Sequence, residues 1–260
     1  MDWKTKLNTF LSDFEYIHDT AGVLACGSYV TGRPTKHSDL DVHIILNNSV
    51  TYRERGNKII DGLLIEYFAN PPHQILQYFE EDLADKSLMA QVQFATGMII
   101  MDKTGDAVKL KQRAQEMISD FYKQDTPPEL SELSKYFYWD MLDNLQDAYE
   151  TGRADFDFLY FISLDKLLAT YMRAINRPYV NRAIYGNITD AVVREKYLLR
   201  ELPDRNIAKL IAKAITAGCK SEKLDAYQKL TNAILDDFGG FDIDGFKFKS
   251  ATSCEVPHDI

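Results

Sequence analysis

Cysteines are few in this sequence of 260 residues, and long apolar runs are missing. Cys26, Cys219 and Cys254 form neither a CxxC pair nor a Cys/His metal spacing, which excludes a disulfide framework and a structural zinc site. No run approaches the length of a membrane span, and the first residues, MDWKTKLNTFLSDF, lack the apolar core of a signal peptide. We therefore expect a reduced, cytoplasmic protein with no membrane partner.

Basic residues are the minority charge. The 30 Lys and Arg residues face 39 Asp and Glu residues, which gives a formal net charge of -9. This balance argues against a uniform electrostatic contact with nucleic acid or with an anionic membrane. The 45% hydrophobic content is too high for a disordered chain, and the length fits one large domain or two modest ones.

Strand patterns are concentrated in the first half of the chain. Short apolar runs or alternating patterns predict strands at AGVLAC, at DLDVHIIL, on both sides of Asp61-Gly62, and at GMIIMD. The Asp-Gly pair indicates a hairpin between the two strands that flank it. Helical spacing of apolar residues predicts helices over residues 3–18, 73–96 and 109–122.

The second half of the chain is predicted to be helical. After a candidate linker at residues 125–128, helical patterns cover residues 129–151, 155–176, 191–201 and 206–238. The fold class is therefore α+β. We predict a small mixed sheet with flanking helices in a first domain, residues 1–125, and a helical bundle in a second domain, residues 129–260.

The stretch GSYVTGRPTKHSDLDVHII combines residues suited to phosphate and metal chemistry. A Gly27-Ser28 turn that opens a helix would offer backbone N–H groups and a hydroxyl to an anion. Asp39 and Asp41 are separated by one strand residue and so project from the same face, which His43 continues. Two adjacent carboxylates repel each other unless a cation lies between them, and hard divalent cations take such oxygen ligands together with phosphates.

The order of these residues resembles the signature of the DNA polymerase β-like nucleotidyltransferase superfamily. Gly27-Ser28 is followed after ten residues by Asp39-x-Asp41 and then by apolar residues. The nearest resemblance is to the antibiotic nucleotidyltransferases of aminoglycoside or kanamycin type. Their third carboxylate has a candidate in Glu66, although Glu is less usual there than Asp, and Tyr29 is bulkier than the residue that often follows the Ser.

The resemblance implies a role for each matching residue. Gly27 and Ser28 would hold the β- and γ-phosphates of ATP or another nucleoside triphosphate. Asp39 and Asp41 would ligate two Mg²⁺ ions, and Glu66 would complete the catalytic metal site and serve as, or orient, the general base. The implied reaction moves a nucleoside monophosphate, AMP first among the candidates, onto a hydroxyl of a small molecule such as an aminoglycoside-like antibiotic, and it releases pyrophosphate.

Other functions fit the same residues. The acceptor could be a protein or an RNA, as for the nucleotidyltransferases of toxin–antitoxin pairs, although those are typically short. The chain could also be a regulatory module that senses nucleotide without turnover. The helical half could serve as a homodimer interface, which is compatible with each of these activities.

Overall fold

The computed structural model describes residues 2–124 and 127–250. Within these residues a single mixed sheet of five strands has the order β3-β4-β2-β1-β5. The strands are β1 (Thr20–Cys26), β2 (Leu40–Leu46), β3 (Glu54–Ile60), β4 (Leu63–Asn70) and β5 (Met98–Asp102). Strands β2 and β4 are parallel, whereas the other neighbouring pairs are antiparallel.

The described residues also form ten α-helices. They are α1 (Trp3–Ser12), α2 (Pro72–Ala84), α3 (Met89–Thr96), α4 (Asp106–Lys123), α5 (Glu132–Glu150), α6 (Phe156–Ala174), α7 (Ile184–Thr189), α8 (Ala191–Lys196), α9 (Arg205–Thr216) and α10 (Lys220–Asp237). The α+β class is therefore confirmed, with a mixed sheet and helices followed by a helical region.

Each face of the sheet carries its own apolar core. Alternate residues of β1 and β2, including Val23, Val42 and Ile44, belong to a core that also contains buried residues of α1. The opposite residues, including Leu24 and Ile45, belong to a core with buried residues of α2, α3 and α4. This alternation follows from the two-residue period of a strand. Asp41 and His43 fall on the α2–α4 face.

Two helices predicted as continuous are interrupted. The predicted helix over residues 73–96 divides into α2 and α3, because Lys86 and Leu88 adopt positive φ angles of 55° and 56°. Asp82 stabilises the break, since its Oδ2 accepts a hydrogen bond of 2.6 Å from the N–H of Ala90. The predicted helix over residues 206–238 divides into α9 and α10 around Gly218. Side-chain capping and glycine thus override a continuous apolar pattern.

The helical region has a core of its own, built from α5, α6, α9 and α10. Large aromatic residues fill it, and the hydroxyl groups of two of them reach backbone carbonyls. Tyr138 donates to the carbonyl of Leu167 at 3.0 Å, and Tyr160 donates to that of Ala214 at 2.6 Å. Such bonds remove most of the cost of burying a phenol among apolar neighbours.

The chain divides into two compact units. One comprises Met1–Thr126 and Asp190–Arg200, and the other comprises Pro127–Thr189 and Glu201–Ile260. Residues 125 and 126 of the candidate linker lie outside the described residues, and the domain limits 1–125 and 129–260 stay a prediction. Every helix in the described part of the chain is too short or too polar to cross a lipid bilayer.

Candidate active site

Three carboxylates converge on the sheet face that packs against α2, α3 and α4. The parallel register of β2 and β4 places Asp41 directly opposite Glu66, and Asp39 lies just before β2. One ligand atom from each of the three lies within 4.8 Å of the others. All three side chains are partly buried. The structure therefore brings together the three carboxylates that the resemblance assigned to the metal site.

Gly27 allows the turn after β1 to approach this cluster. Cys26, the last residue of β1, pairs with Asp41, and Gly27 then turns with a φ of +77°. A Cβ atom at position 27 would overlap the carboxylate Oδ2 of Asp41. Glycine is needed here both for its left-handed conformation and for the missing side chain.

The Gly27-Ser28 turn does not continue into a helix, contrary to the sequence prediction. The N–H of Thr31 bonds to the carbonyl of Gly27 at 3.1 Å, and the next residues form a loop. Within the described chain, the N–H groups of Ser28 and Tyr29 and the hydroxyl of Ser28 have no hydrogen-bond partner. Consecutive N–H groups in a turn form a concave site suited to an anion. Binding of phosphate by Gly27 and Ser28 stays a prediction.

The carboxylate cluster fits a hard divalent cation. Three oxygen donors at this spacing, on two adjacent strands and the preceding loop, form the kind of ligand set that Mg²⁺ takes, with substrate phosphates completing the coordination. The contact between Gly27 and Asp41 holds one carboxylate beside the turn that would bind those phosphates. The site residues are therefore chemically suited to metal-assisted phosphoryl transfer.

Arg55, on the edge strand β3, forms an ion pair with the third carboxylate, Glu66. Its Nη2 lies 2.6 Å and its Nε 3.3 Å from Oε1 of Glu66, and its guanidinium carbon lies 4.8 Å from the centre of the Phe68 ring. The sequence reading missed this partner. The sequence does show polar residues at alternate positions, with Arg53 just before β3 and Arg55 and Asn57 within it. The pairing of β3 with β4, which places Arg55 beside Glu66, is known only from the structure.

His43 lies one pleat beyond Asp41 and is held among aromatic rings. Its Nε2 lies 3.2 Å from Oε1 of Gln93, and its ring centre lies 5.4 Å from that of Phe68 and 4.6 Å from that of Phe94. Burial lowers the pKa of His43 to about 4, against the opposing effect of the Gln93 bond. The ring is therefore neutral at pH 7.

Cys26 is an unreactive neighbour of the cluster. Burial is the main cause that raises the pKa of its thiol well above the ordinary value, and the negative charges of Asp41 and Asp39 add to it. Because only the thiolate is a strong nucleophile, Cys26 packs as a small apolar residue beside the carboxylates.

A cavity of about 580 Å³ lies on the same sheet face. Its floor includes His43 and Phe68, its walls come from α2 and α3, and Arg55 lines it on the β3 side. A volume of this order is typical of small-molecule sites. Arg55 therefore connects the carboxylate cluster to the cavity.

Comparison with known proteins shows a similarity that covers the site. Residues 4–96 match the family model of the nucleotidyltransferase domain, and this range contains the turn, all three carboxylates and the floor of the cavity. A solved nucleotidyltransferase-like protein from Exiguobacterium sibiricum 255-15 is similar over 90% of this chain and 75% of its own, with a TM-score of 0.45 and 14% sequence identity. No curated protein matches the sequence. Residues 4–96 of this chain are thus similar to nucleotidyltransferase domains.

Proposed function

We propose that this protein is a Mg²⁺-dependent nucleotidyltransferase that moves a nucleoside monophosphate, with AMP from ATP as the first candidate, onto a hydroxyl group of a small molecule. The observation that carries the proposal is the convergence of Asp39, Asp41 and Glu66 within 4.8 Å. The family match of residues 4–96 supports it, because the cluster lies inside the matched range.

The chain's own residues would share the work of positioning and proton transfer. The N–H groups and hydroxyl of the Gly27-Ser28 turn would bind the triphosphate and orient its α-phosphorus for in-line attack. Asp39 and Asp41, with Glu66, would hold two Mg²⁺ ions, which supply charge neutralisation on the transferred phosphoryl group. Glu66 would accept the proton of the acceptor hydroxyl at its carboxylate.

The proposed transfer needs no reactant besides the nucleoside triphosphate and the hydroxyl acceptor. The acceptor oxygen forms a bond to the α-phosphorus, and the bond from that phosphorus to the pyrophosphate oxygen breaks. The proton of the acceptor hydroxyl passes to the Glu66 carboxylate and from there to solvent. Arg55 must release Oε1 of Glu66 for this role, because the ion pair at 2.6 Å occupies the same oxygen.

A thermal melt tests the nucleotide site before any acceptor is known. A non-hydrolysable ATP analogue with Mg²⁺, at roughly a hundred times its Kd, should stabilise the wild type by about 2.7 kcal/mol. We expect a shift in Tm of about 5–10 °C for a chain of this size. The shift should require Mg²⁺ and should be lost in Asp41→Asn. Asp13→Asn, which removes an exposed carboxylate at the end of α1, should keep it.

The outcomes separate the candidate functions. A failure of all four nucleoside triphosphate analogues to shift the Tm would remove the basis of the proposal. A shift without pyrophosphate release from any acceptor would favour the nucleotide-sensing module. Transfer of label from ATP to protein or RNA would favour the toxin–antitoxin type of reaction. Aminoglycoside-like acceptors are included in the same screen. The homodimer and the cytoplasmic location need separate tests.

A further inference from the structure

The cavity continues the register of the carboxylate cluster. Strands β2 and β4 pair Asp41 with Glu66, then His43 with Phe68, and two residues further Ile45 with Asn70. A strand advances about 3.3 Å per residue, so the cavity floor begins about 7 Å beyond the carboxylates. A small molecule bound in the cavity could therefore present one end to Glu66.

A buried amide at the far end of this cavity has no partner. Asn70 lines the cavity and is only 6% exposed. Within the described chain its side chain makes no hydrogen bond. The polar atoms of this amide are open to the cavity rather than sealed from solvent, so the amide is available to hydrogen-bond a ligand there.

Arginine side chains line the same end of the cavity. Arg55 of β3 and Arg53, which lies just before that strand, both line the cavity. Arg53 donates to the hydroxyl of Tyr78 at 2.6 Å, and no carboxylate in the described part of the chain pairs with it. Arg55 is neutralised by Glu66. A cation on Glu66 would weaken that ion pair, and both arginines would then be available to an anionic group in the cavity, beside the carboxylates of Glu54, Glu81 and Asp82 that also line it.

The acidic residues of the cavity have hydrogen-bond partners of their own. Glu54 accepts from the hydroxyl of Tyr67 at 2.6 Å, and Glu81 accepts from the amide of Gln77 at 2.8 Å. Asp82 accepts from the backbone at the start of α3. Tyr67 and Gln77 lie outside the cavity lining, so two of these acids are turned toward other groups. Hydrogen-bond donors of Arg53 and Asn70 are unused at the cavity, as are those of the Gln93 amide.

We propose that this cavity is the acceptor subsite and that it takes a hydroxyl compound bearing a carboxylate or phosphate group. The anionic group binds Arg53 and Asn70, Arg55 joins it on release from Glu66, and the hydroxyl at the other end reaches Glu66. This proposal rests on the nucleotidyl transfer proposed above. The class of acceptor differs from the polycationic aminoglycosides.

Matched probes of small size test the charge preference. We would measure binding of 4-hydroxybenzoate against tyramine, and of glycerol 3-phosphate against glycerol, by calorimetry on the full chain with Mg²⁺ and a non-hydrolysable ATP analogue present. The expected result is tighter binding of one or both anionic probes than of their partners. The two pairs distinguish a carboxylate from a phosphate acceptor.

Two variants locate the bound anion. Arg53→Gln should weaken binding of the anionic probe about tenfold or more, because a hydrogen bond to a charged group is lost. Lys58→Gln removes an exposed cation from the opposite face of the same strand and should leave binding unchanged. Asn70→Asp, which adds a negative charge with little change in shape, should abolish binding. Arg53→Gln keeps the test valid if Asn70→Asp fails to fold, because Arg53 is exposed.

The result that overturns the proposal is specific. Tighter binding of tyramine, no binding of either anionic probe, or an equal loss in Arg53→Gln and Lys58→Gln would each contradict an anion subsite in this cavity. The thermal melt with nucleotide reports on the proposed function separately. A normal nucleotide shift with no anion binding removes only the subsite, whereas anion binding without a nucleotide shift removes the nucleotidyl transfer and leaves an anion site that is not an acceptor subsite.

Discussion

Close approach of single atoms shapes the carboxylate cluster. Asp41 leans against Gly27, where any side chain would overlap it, and Glu66 lies within an ion pair with Arg55. The first contact joins the Gly27-Ser28 turn, proposed to bind phosphate, to the proposed metal ligand Asp41, and the second joins the proposed ligand Glu66 to a residue that lines the cavity. Both depend on side-chain size and charge at one position, so conservative substitutions should have large local effects.

The buried ring of His43 should make the free energy of unfolding depend on pH. Its folded-state pKa of about 4 lies below the ordinary value of 6.5, so protonation favours the unfolded chain. The stabilising contribution of the neutral ring is complete above pH 6.5 and is lost as the pH falls toward 4. Between pH 7 and pH 4.5 the wild type should lose about 2.5 kcal/mol more unfolding free energy than His43→Phe, measured by urea denaturation. Parallel losses in the two proteins would contradict a buried neutral His43.

The hairpin of β3 and β4 is the element that sets the site. Its two-residue loop, Asp61-Gly62, has positive φ at both positions, 46° and 79°, as a tight hairpin requires. The loop fixes the pairing of Asn57 with Glu66 and keeps Glu66 on the face of Asp41. A slip of one residue would turn Glu66 to the opposite face.

Gly62→Ala measures the cost of this turn. A Cβ at position 62 would meet no atom within 4 Å, so the penalty is conformational rather than steric. We expect a loss of about 1–2 kcal/mol in unfolding free energy, because an L-residue is strained in the left-handed region. Asp61→Asn is the matched control and should stay near the wild type, since Asn tolerates positive φ. Equal stability of both variants with the wild type would show that the turn is not under this constraint.

At the scale of the whole molecule, the chain returns to its first unit. The segment Asp190–Arg200 belongs to that unit although the helical region precedes and follows it. Tyr122 of α4 donates to the carbonyl of Leu198 at 3.1 Å, and the guanidinium carbon of Arg200 lies 4.3 Å from the Tyr122 ring centre. The unit that carries the carboxylates thus includes residues far away in sequence.

Tyr122→Phe should loosen this returning segment. The variant keeps the ring that Arg200 contacts and loses the bond to Leu198, a change of about 1 kcal/mol. Cleavage by trypsin at Arg194 and Lys196 should become about fivefold faster if it follows local opening. Tyr149→Phe, at an exposed tyrosine of α5, should leave the cleavage rate unchanged. An unchanged rate in Tyr122→Phe would mean that the hydroxyl does not hold the segment.

Local pattern in the sequence determined the strands of the first half, the Asp-Gly hairpin, the helical second half and the candidate residues Gly27, Asp39 and Asp41. These features follow from periods of two and 3.6 residues and from turn residues, which depend only on near neighbours. Only the tertiary structure decided that the helical stretches break at residues 85–88 and around Gly218, and that Glu66 lies opposite Asp41. It also decided that Arg55 pairs with Glu66 and that Asn70 lines a cavity. The physical reason is that these relations depend on strand register and side-chain packing between segments remote in the chain, which no local pattern specifies.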